Sequence, residues 1–347
     1  MMDRINASIG PVVPAALWFF VACTPAPAPS TDSGSDVGFT SFTVLDSTRN
    51  LRPVQVSMWY PSSQDGSKKL TLADYSRAIT VEGTAAAVTP DVAAAGAREL
   101  RDYLVSLGST PDGAGNALGM KLTAHEDARG PRSRLPVIVF ALGKDESPVL
   151  HADLAETIAA RGFLVVTAPT VGTRRRTTTW EAEDVFTHSA DLNLALRTSA
   201  ERGWGDTTRL AFLGYSYGSG AAVLLAEEHS ATRGMVILDG SIAFRDRLST
   251  FREALGRKRL TVPVLYLGAR NDARQDQSLL KTIAPHAVVT LSDSTGHLDF
   301  TTLALVATQP GFEGFMRLGD DLLPAGVVYA RVKEAVLEFM TKNVLRD

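Results

Sequence analysis

The chain has one cysteine in 347 residues, Cys23, which excludes an intrachain disulfide framework and a cluster of thiolate metal ligands. It also lacks an excess of either charge: 35 Lys and Arg stand against 38 Asp and Glu, a formal net charge of −3. A nucleic-acid binder resting on bulk positive charge is therefore excluded, because phosphate recognition needs clustered cations. The basic run Arg174-Arg175-Arg176 is only three residues long and reads as a solvated loop. None of the six histidines falls into H-x-H or H-E-x-x-H spacing, so the sequence announces no zinc site. What the chain does have is apolar content. At 45% hydrophobic and 21% charged residues it has enough to bury a large core and too little polarity for disorder along most of its length.

The N-terminus reads as an address rather than as fold. Arg4 precedes the apolar stretch from Pro11 to Ala22, which is too short to span a bilayer but suits the core of a secretory signal peptide, placing such a signal at residues 1–22. The stretch stops at Val21-Ala22-Cys23, with a small residue just before the cysteine, and this resembles a bacterial lipobox in which Cys23 is acylated. Phe20 departs from the usual aliphatic residue three positions before the cysteine. Residues 23–38, rich in Pro, Ala, Ser, Thr, Asp and Gly, then read as a tether. The expectation is an exported protein, in the bacterial periplasm or at the outer membrane as a lipoprotein touching the membrane only through Cys23. The alternatives are a plain signal cut nearby, which leaves it secreted, or a start codon placed too early, which leaves it cytoplasmic.

From Phe39 onward the pattern is that of a folded domain, expected over residues 39–345. Two β-rich runs, 39–45 and 54–60, flank a turn-like segment and predict a strand pair ended by Pro61. Residues 62–127 are less regular and are expected to form an insertion beside the main sheet. Within them Thr89 and Pro90 predict the start of a helix over 90–106, and 108–119 reads as a Gly- and Pro-rich loop. From Leu135, short continuous apolar runs alternate with helical patterns, the signature of a mostly parallel sheet covered by helices on both faces. The runs are 137–142, 163–168, 210–213, 235–238, 262–267 and 287–291. The fold class is α/β, as one domain.

The sharpest chemical signal is Gly214-Tyr215-Ser216-Tyr217-Gly218, a G-x-S-x-G pentapeptide between a buried run and the Ala-rich helix that follows it. Such a serine sits on a tight, strained turn, so its neighbours two positions away must be tiny. The Tyr217 N–H, at the positive end of the next helix, is placed to meet a developing oxyanion. A serine hydroxyl needs a base, and the base needs an orienter. In this architecture the base follows the nucleophile, and His297, in a loop after the last run, meets that order. His125, His151 and His188 precede the serine; His229 and His286 fall at a helix end and before a strand. Two acids compete as orienter. Asp239 ends the run Val236-Ile237-Leu238 and Asp272 follows the next strand; chain order does not separate them. An acid set directly against buried apolar residues needs a partner, which leans toward Asp239.

The stretch from Phe42 to Phe300 resembles the α/β-hydrolase superfamily, and within it platelet-activating-factor acetylhydrolase and related bacterial lipase-like proteins. The resemblance lies in Arg52-Pro53-Val54 through Tyr60-Pro61, the Ser216 pentapeptide, Leu238-Asp239-Gly240 and Gly296-His297-Leu298-Asp299-Phe300. It implies an α/β-hydrolase fold, Asp239 as the triad acid, and a second oxyanion donor in the loop Phe140-Ala141-Leu142-Gly143-Lys144, namely the Lys144 N–H. Leu142 stands where the family usually has histidine. The implied function is a serine carboxylic-ester hydrolase acting on small or short-acyl esters through an acyl-enzyme, with no metal or organic cofactor. The alternatives are a general lipase or polyester hydrolase using Asp272, or a hydrolase fold that binds without catalysis.

Overall fold

The apolar runs pair into a single sheet. A computed structural model describes residues 36–347 except 64–65, 271, 318–321 and 346–347, so the expected signal segment, Cys23 and most of the tether lie outside the described residues. The strands are β1 (Asp36–Asp46), β2 (Arg52–Ser62), β3 (Lys69–Thr71), β4 (Lys121–Glu126), β5 (Leu135–Ala141), β6 (Leu164–Thr167), β7 (Gly205–Tyr215), β8 (Thr232–Leu238), β9 (Val264–Ala269) and β10 (Val288–Ser292). Their order across the sheet is β10-β9-β8-β7-β5-β6-β2-β1-β4-β3. From β10 to β6 every neighbouring pair is parallel. The β1–β2 pair is antiparallel, and β2 joins β6 in the same antiparallel sense.

Parallel neighbours cannot be joined by hairpins, so each connection crosses over, mostly through a helix, and those helices cover both faces. That is why β5 and β7 are apolar at consecutive positions. Ile138 and Phe140 pack on one side with the helices Ala152–Ala159 and Ala325–Met340. Val137 and Val139 pack on the other with Ala182–Glu201 and Gly218–Glu228. The C-terminal ends of β5, β7, β8, β9 and β10 therefore open on one edge of the sheet, where α/β folds carry their sites.

Three expectations need correction. The first strand begins at Asp36 rather than Phe39, because Val37 is fully buried and pairs with Pro61, which lies inside β2 instead of ending it. Residues 62–127 do not stand beside the sheet. Strand β4 pairs in parallel with β1, and β3 with β4, so the stretch supplies the last two strands at that edge. The segment 108–119 is not all loop: Pro111–Leu118 is a helix in which Thr110 Oγ1 accepts the Gly113 N–H at 3.0 Å. Pro111 occupies the first helical position, where a missing N–H costs nothing, and the buried side is made of Ala114 and Ala117, too small to produce an apolar period.

Candidate active site

Strand β7 ends at Tyr215 and the helix Gly218–Glu228 begins three residues later, so Ser216 must turn the chain within a single step. It does so at φ +48°, a left-handed conformation that a serine adopts only when its surroundings enforce it. They do. The Ser216 N–H donates to Leu238 O at 3.0 Å, and its carbonyl accepts the Ser241 N–H at 2.8 Å and Ser219 Oγ at 2.7 Å. A Cβ on Gly214 would lie 2.8 Å from Ser219 Cα, and one on Gly218 would lie 2.3 Å from the carbonyl oxygens of both Ala141 and Leu142. The small residues thus let the start of the helix lie directly on the loop after β5.

At this edge Ser216 Oγ lies 3.1 Å from His297 Nε2, and His297 Nδ1 lies 2.6 Å from Asp239 Oδ2. With Nδ1–H donated to the carboxylate, Nε2 is left to accept the serine proton. Asp239 is fully buried and itself sits at φ +40°. Its other oxygen, Oδ1, accepts the Ala269 N–H at 3.0 Å and the Gln275 Nε2 at 2.8 Å, so this buried carboxyl group is well satisfied. The His297 ring stacks on Tyr215 with centroids 5.0 Å apart, and Tyr215 OH donates to His297 O at 3.0 Å. Buried Asp299 fixes the loop by accepting the Gly296 N–H at 2.7 Å and the Arg317 guanidinium at 2.7 and 2.5 Å. Asp272, the rival acid, is turned to Arg274, whose Nε lies 2.9 Å from Oδ1. Partial burial raises its pKa, but the hydrogen bonds from Arg274 outweigh this and hold it below the usual value. It makes no hydrogen bond to His297 among the described residues.

Tyr217 stands at the helix start and Lys144 in the loop after β5, whose Leu142 carbonyl lies against that helix start, and among the described residues neither backbone N–H meets a protein acceptor. The β5 loop is held by carboxylates. Glu146 Oε2 accepts the Gly143 N–H at 2.7 Å and lies 2.8 Å from His151 Nε2. Asp145, at φ +58°, accepts the Thr178 N–H at 2.5 Å and Thr178 Oγ1 at 2.8 Å. His151 is buried between Phe140 and Tyr215, so it touches the ring beneath His297 and not the serine. His188 stacks on Tyr217, and burial, with the charge of Arg52, brings its pKa down to about 3, which keeps it neutral. Chain order set both histidines aside, and both prove to be supports. Glu146, Gln275, Tyr215 and Arg317 carried no signal that sequence reading used. A hydroxyl, an imidazole and a buried carboxylate in line, beside unpaired N–H groups at a helix start, form an arrangement suited to activating the hydroxyl and receiving an oxyanion.

No family model and no curated protein matches this chain. Solved structures do. A ferulic acid esterase from Streptomyces cinnamoneus superposes with a TM-score of 0.65 at 19% identity, covering 92% of each chain. The protein m3DLH superposes with a TM-score of 0.50 at 13% identity, over 89% of this chain and 100% of that one. The chain has an α/β-hydrolase fold.

Proposed function

We propose that this protein is a serine carboxylic-ester hydrolase that cleaves small or short-acyl esters through an acyl-enzyme. The observation that carries the reading is the hydrogen-bonded line from Ser216 through His297 to buried Asp239. His297 Nε2 takes the proton as Ser216 Oγ attacks the ester carbonyl, and Asp239 holds the imidazole in the tautomer this needs. The N–H groups of Tyr217 and Lys144 receive the oxyanion, each donor worth about 3 kcal/mol of transition-state stabilisation in comparable sites. The protonated imidazole then gives its proton to the departing alkoxide, leaving an acyl-serine. Water, deprotonated by His297, releases the acid and restores the serine. The residues themselves supply the nucleophile, the base and the oxyanion donors, and the ester carbonyl is the electrophile. An ester substrate also accords with the likeness in fold to a ferulic acid esterase, and the short acyl chain follows from the resemblance to the acetylhydrolase group.

Hydrolysis of p-nitrophenyl esters of increasing chain length, with Ser216→Ala, Asp239→Asn and Asp272→Asn beside the parent, tests this. The parent turns over with a short-chain optimum, Ser216→Ala is inactive, and Asp239→Asn loses about 10⁴ in kcat. Asp272→Asn loses less than about tenfold. A long-chain optimum replaces the short-acyl reading with a lipase, and equal effects at the two acids displace Asp239 from its role. Turnover that survives Ser216→Ala removes the serine mechanism. We also propose export with acylation at Cys23; labelling of expressing cells with a fatty-acid probe tags the parent and not Cys23→Ala, and no label in either refutes it.

A further inference from the structure

A cavity of about 580 Å³ lies between the β1–β2 turn and the segment after Val171, and its lining includes five arginines, Arg49, Arg52, Arg174, Arg175 and Arg176, with one carboxylate, Glu82. The arginine segment is held in place. Asp184 accepts the N–H and Oγ1 of Thr173, both at 2.7 Å, and those of Thr179 at 2.6 and 2.8 Å. Asp145 holds Thr178 as described. Arg52 bolts the opposite wall to the segment, donating to the carbonyls of Val171 and Gly172 at 3.1 Å each while gripping Asp191.

These contacts divide the arginines by task. Arg49 and Arg52 are engaged by Asp46 and Asp191. Arg176 pairs with Glu99 at 2.6 Å. Arg174 approaches Glu183 only at 3.6 Å with both side chains exposed, a pairing worth little in water. Arg175 has no ion pair or hydrogen bond to a protein group among the described residues. The one lining acid does not cancel them: burial pushes the Glu82 pKa up to about 8, against the opposing pull of Ser147 and Arg176, so it is mostly neutral at pH 7.

A second cavity of about 330 Å³ runs along Lys144–Ser147 and Tyr103, and it shares Glu82 and Arg176 with the first. Its remaining acids are already engaged, Glu99 by Arg176, Asp145 by Thr178 and Lys144, Glu146 by Gly143 and His151. The arginine cavity thus adjoins the space beside the loop that holds Lys144. We propose that it is a subsite for an oxyanion, a carboxylate or phosphate, carried on the end of the ester substrate remote from the scissile bond, with Arg174 and Arg175 as donors. This rests on the ester-hydrolase reading above, and it replaces the view of 174–176 as a merely solvated run. Two guanidinium groups with spare donors suit such a group because they present paired N–H bonds to its oxygens.

The test uses the full chain and two pairs of probes. On the acyl side, the p-nitrophenyl hemiester of adipic acid is set against p-nitrophenyl hexanoate. On the alcohol side, 4-acetoxyphenyl phosphate is set against 4-acetoxyphenol. For each pair the ratio of kcat/KM, anionic over neutral, is compared between the parent, the Arg174→Ala/Arg175→Ala double variant and Arg331→Ala, an exposed charge on the C-terminal helix that serves as control. In at least one pair the double variant lowers the ratio about tenfold, through KM, the scale of one charge-assisted hydrogen bond, and Arg331→Ala leaves it unchanged. The affected pair identifies which side of the ester reaches the subsite. Equal ratios in the parent and double variant for both pairs overturn this inference alone. Failure of the parent on the neutral esters as well overturns the hydrolase reading, and this inference with it.

Discussion

The turn that carries Ser216 and the loop that carries Lys144 meet at one edge of the sheet, yet different forces hold them. The serine turn is shaped by crowding of the backbone: a Cβ on Gly218 would meet two carbonyl oxygens at 2.3 Å, so residue type is dictated locally. The Lys144 loop is shaped by carboxylates that reach back or across, Glu146 to the Gly143 N–H and Asp145 to Thr178, 33 residues on. Both contain a non-glycine residue in left-handed conformation, Ser216 at +48° and Asp145 at +58°. Crowding leaves a motif in the sequence; hydrogen bonds between separated side chains leave none.

The first way to break the comparison is Gly218→Ala. If crowding holds the turn, the added methyl separates the helix start from the β5 loop, because neither Ala141 nor Leu142 can withdraw a backbone carbonyl without disturbing the sheet. The expected cost is about 3 kcal/mol of stability, at the upper end for an overpacked site, together with loss of about 10² or more in kcat. Thermal unfolding and ester hydrolysis read the two effects. A variant with the parent's melting temperature and rate would show the contact to be soft.

The Lys144 loop should respond more gradually, and to polarity rather than volume. Glu146→Ala leaves the Gly143 N–H and His151 without their acceptor, and kcat falls by about 10² with KM changed by less than about threefold, the pattern of a lost transition-state donor. Glu146→Gln keeps an oxygen for the Gly143 N–H and recovers about tenfold of that loss. Equal effects from Ala and Gln would mean that charge, not the hydrogen bond, holds the loop. A matched rise in KM would mean that Glu146 lines the substrate instead of positioning the proposed oxyanion donor, the Lys144 N–H.

The same contrast explains what was legible beforehand. The central strands were, because a parallel strand buried on both faces reads as a continuous apolar run, as in Val137–Ala141 and Met235–Leu238. Ser216 stood out by its glycines, His297 by chain order, and Asp239 by being an acid pressed against apolar residues; the structure brings the three within hydrogen-bonding distance. The β4 edge was not legible, since Lys121–Glu126 buries only Leu122 and Ala124, too few apolar residues to mark a strand. Nor were Gln275 and Arg317, which act on Asp239 and Asp299 across gaps of 36 and 18 residues. A glutamine or arginine in a loop has no periodicity to betray its partner.

That edge supplies the gentlest test, one read in stability and not in rate. Glu156, on the helix Ala152–Ala159, ties residues 62–127 to the domain: its carboxyl accepts Tyr75 OH and the Thr123 N–H, each at 2.6 Å. Burial pushes its pKa up to about 7, and the hydrogen bonds from Tyr75 and Thr123 only partly offset this. Because the folded value lies above the ordinary 4.5, the folded chain binds the proton more tightly than the unfolded one. The resulting stability is complete below about pH 4.5 and is lost as pH rises through about 7. Glu156→Gln retains an acceptor oxygen and cannot ionise, so its stability relative to the parent should rise by about 2–3 kcal/mol between pH 5 and pH 8. Denaturant unfolding of both proteins at the two pH values measures this as a difference, which cancels the other buried acid, Glu82. A pH-independent difference would mean that Glu156 is ionised throughout, and that its two hydrogen bonds hold a charge at this edge.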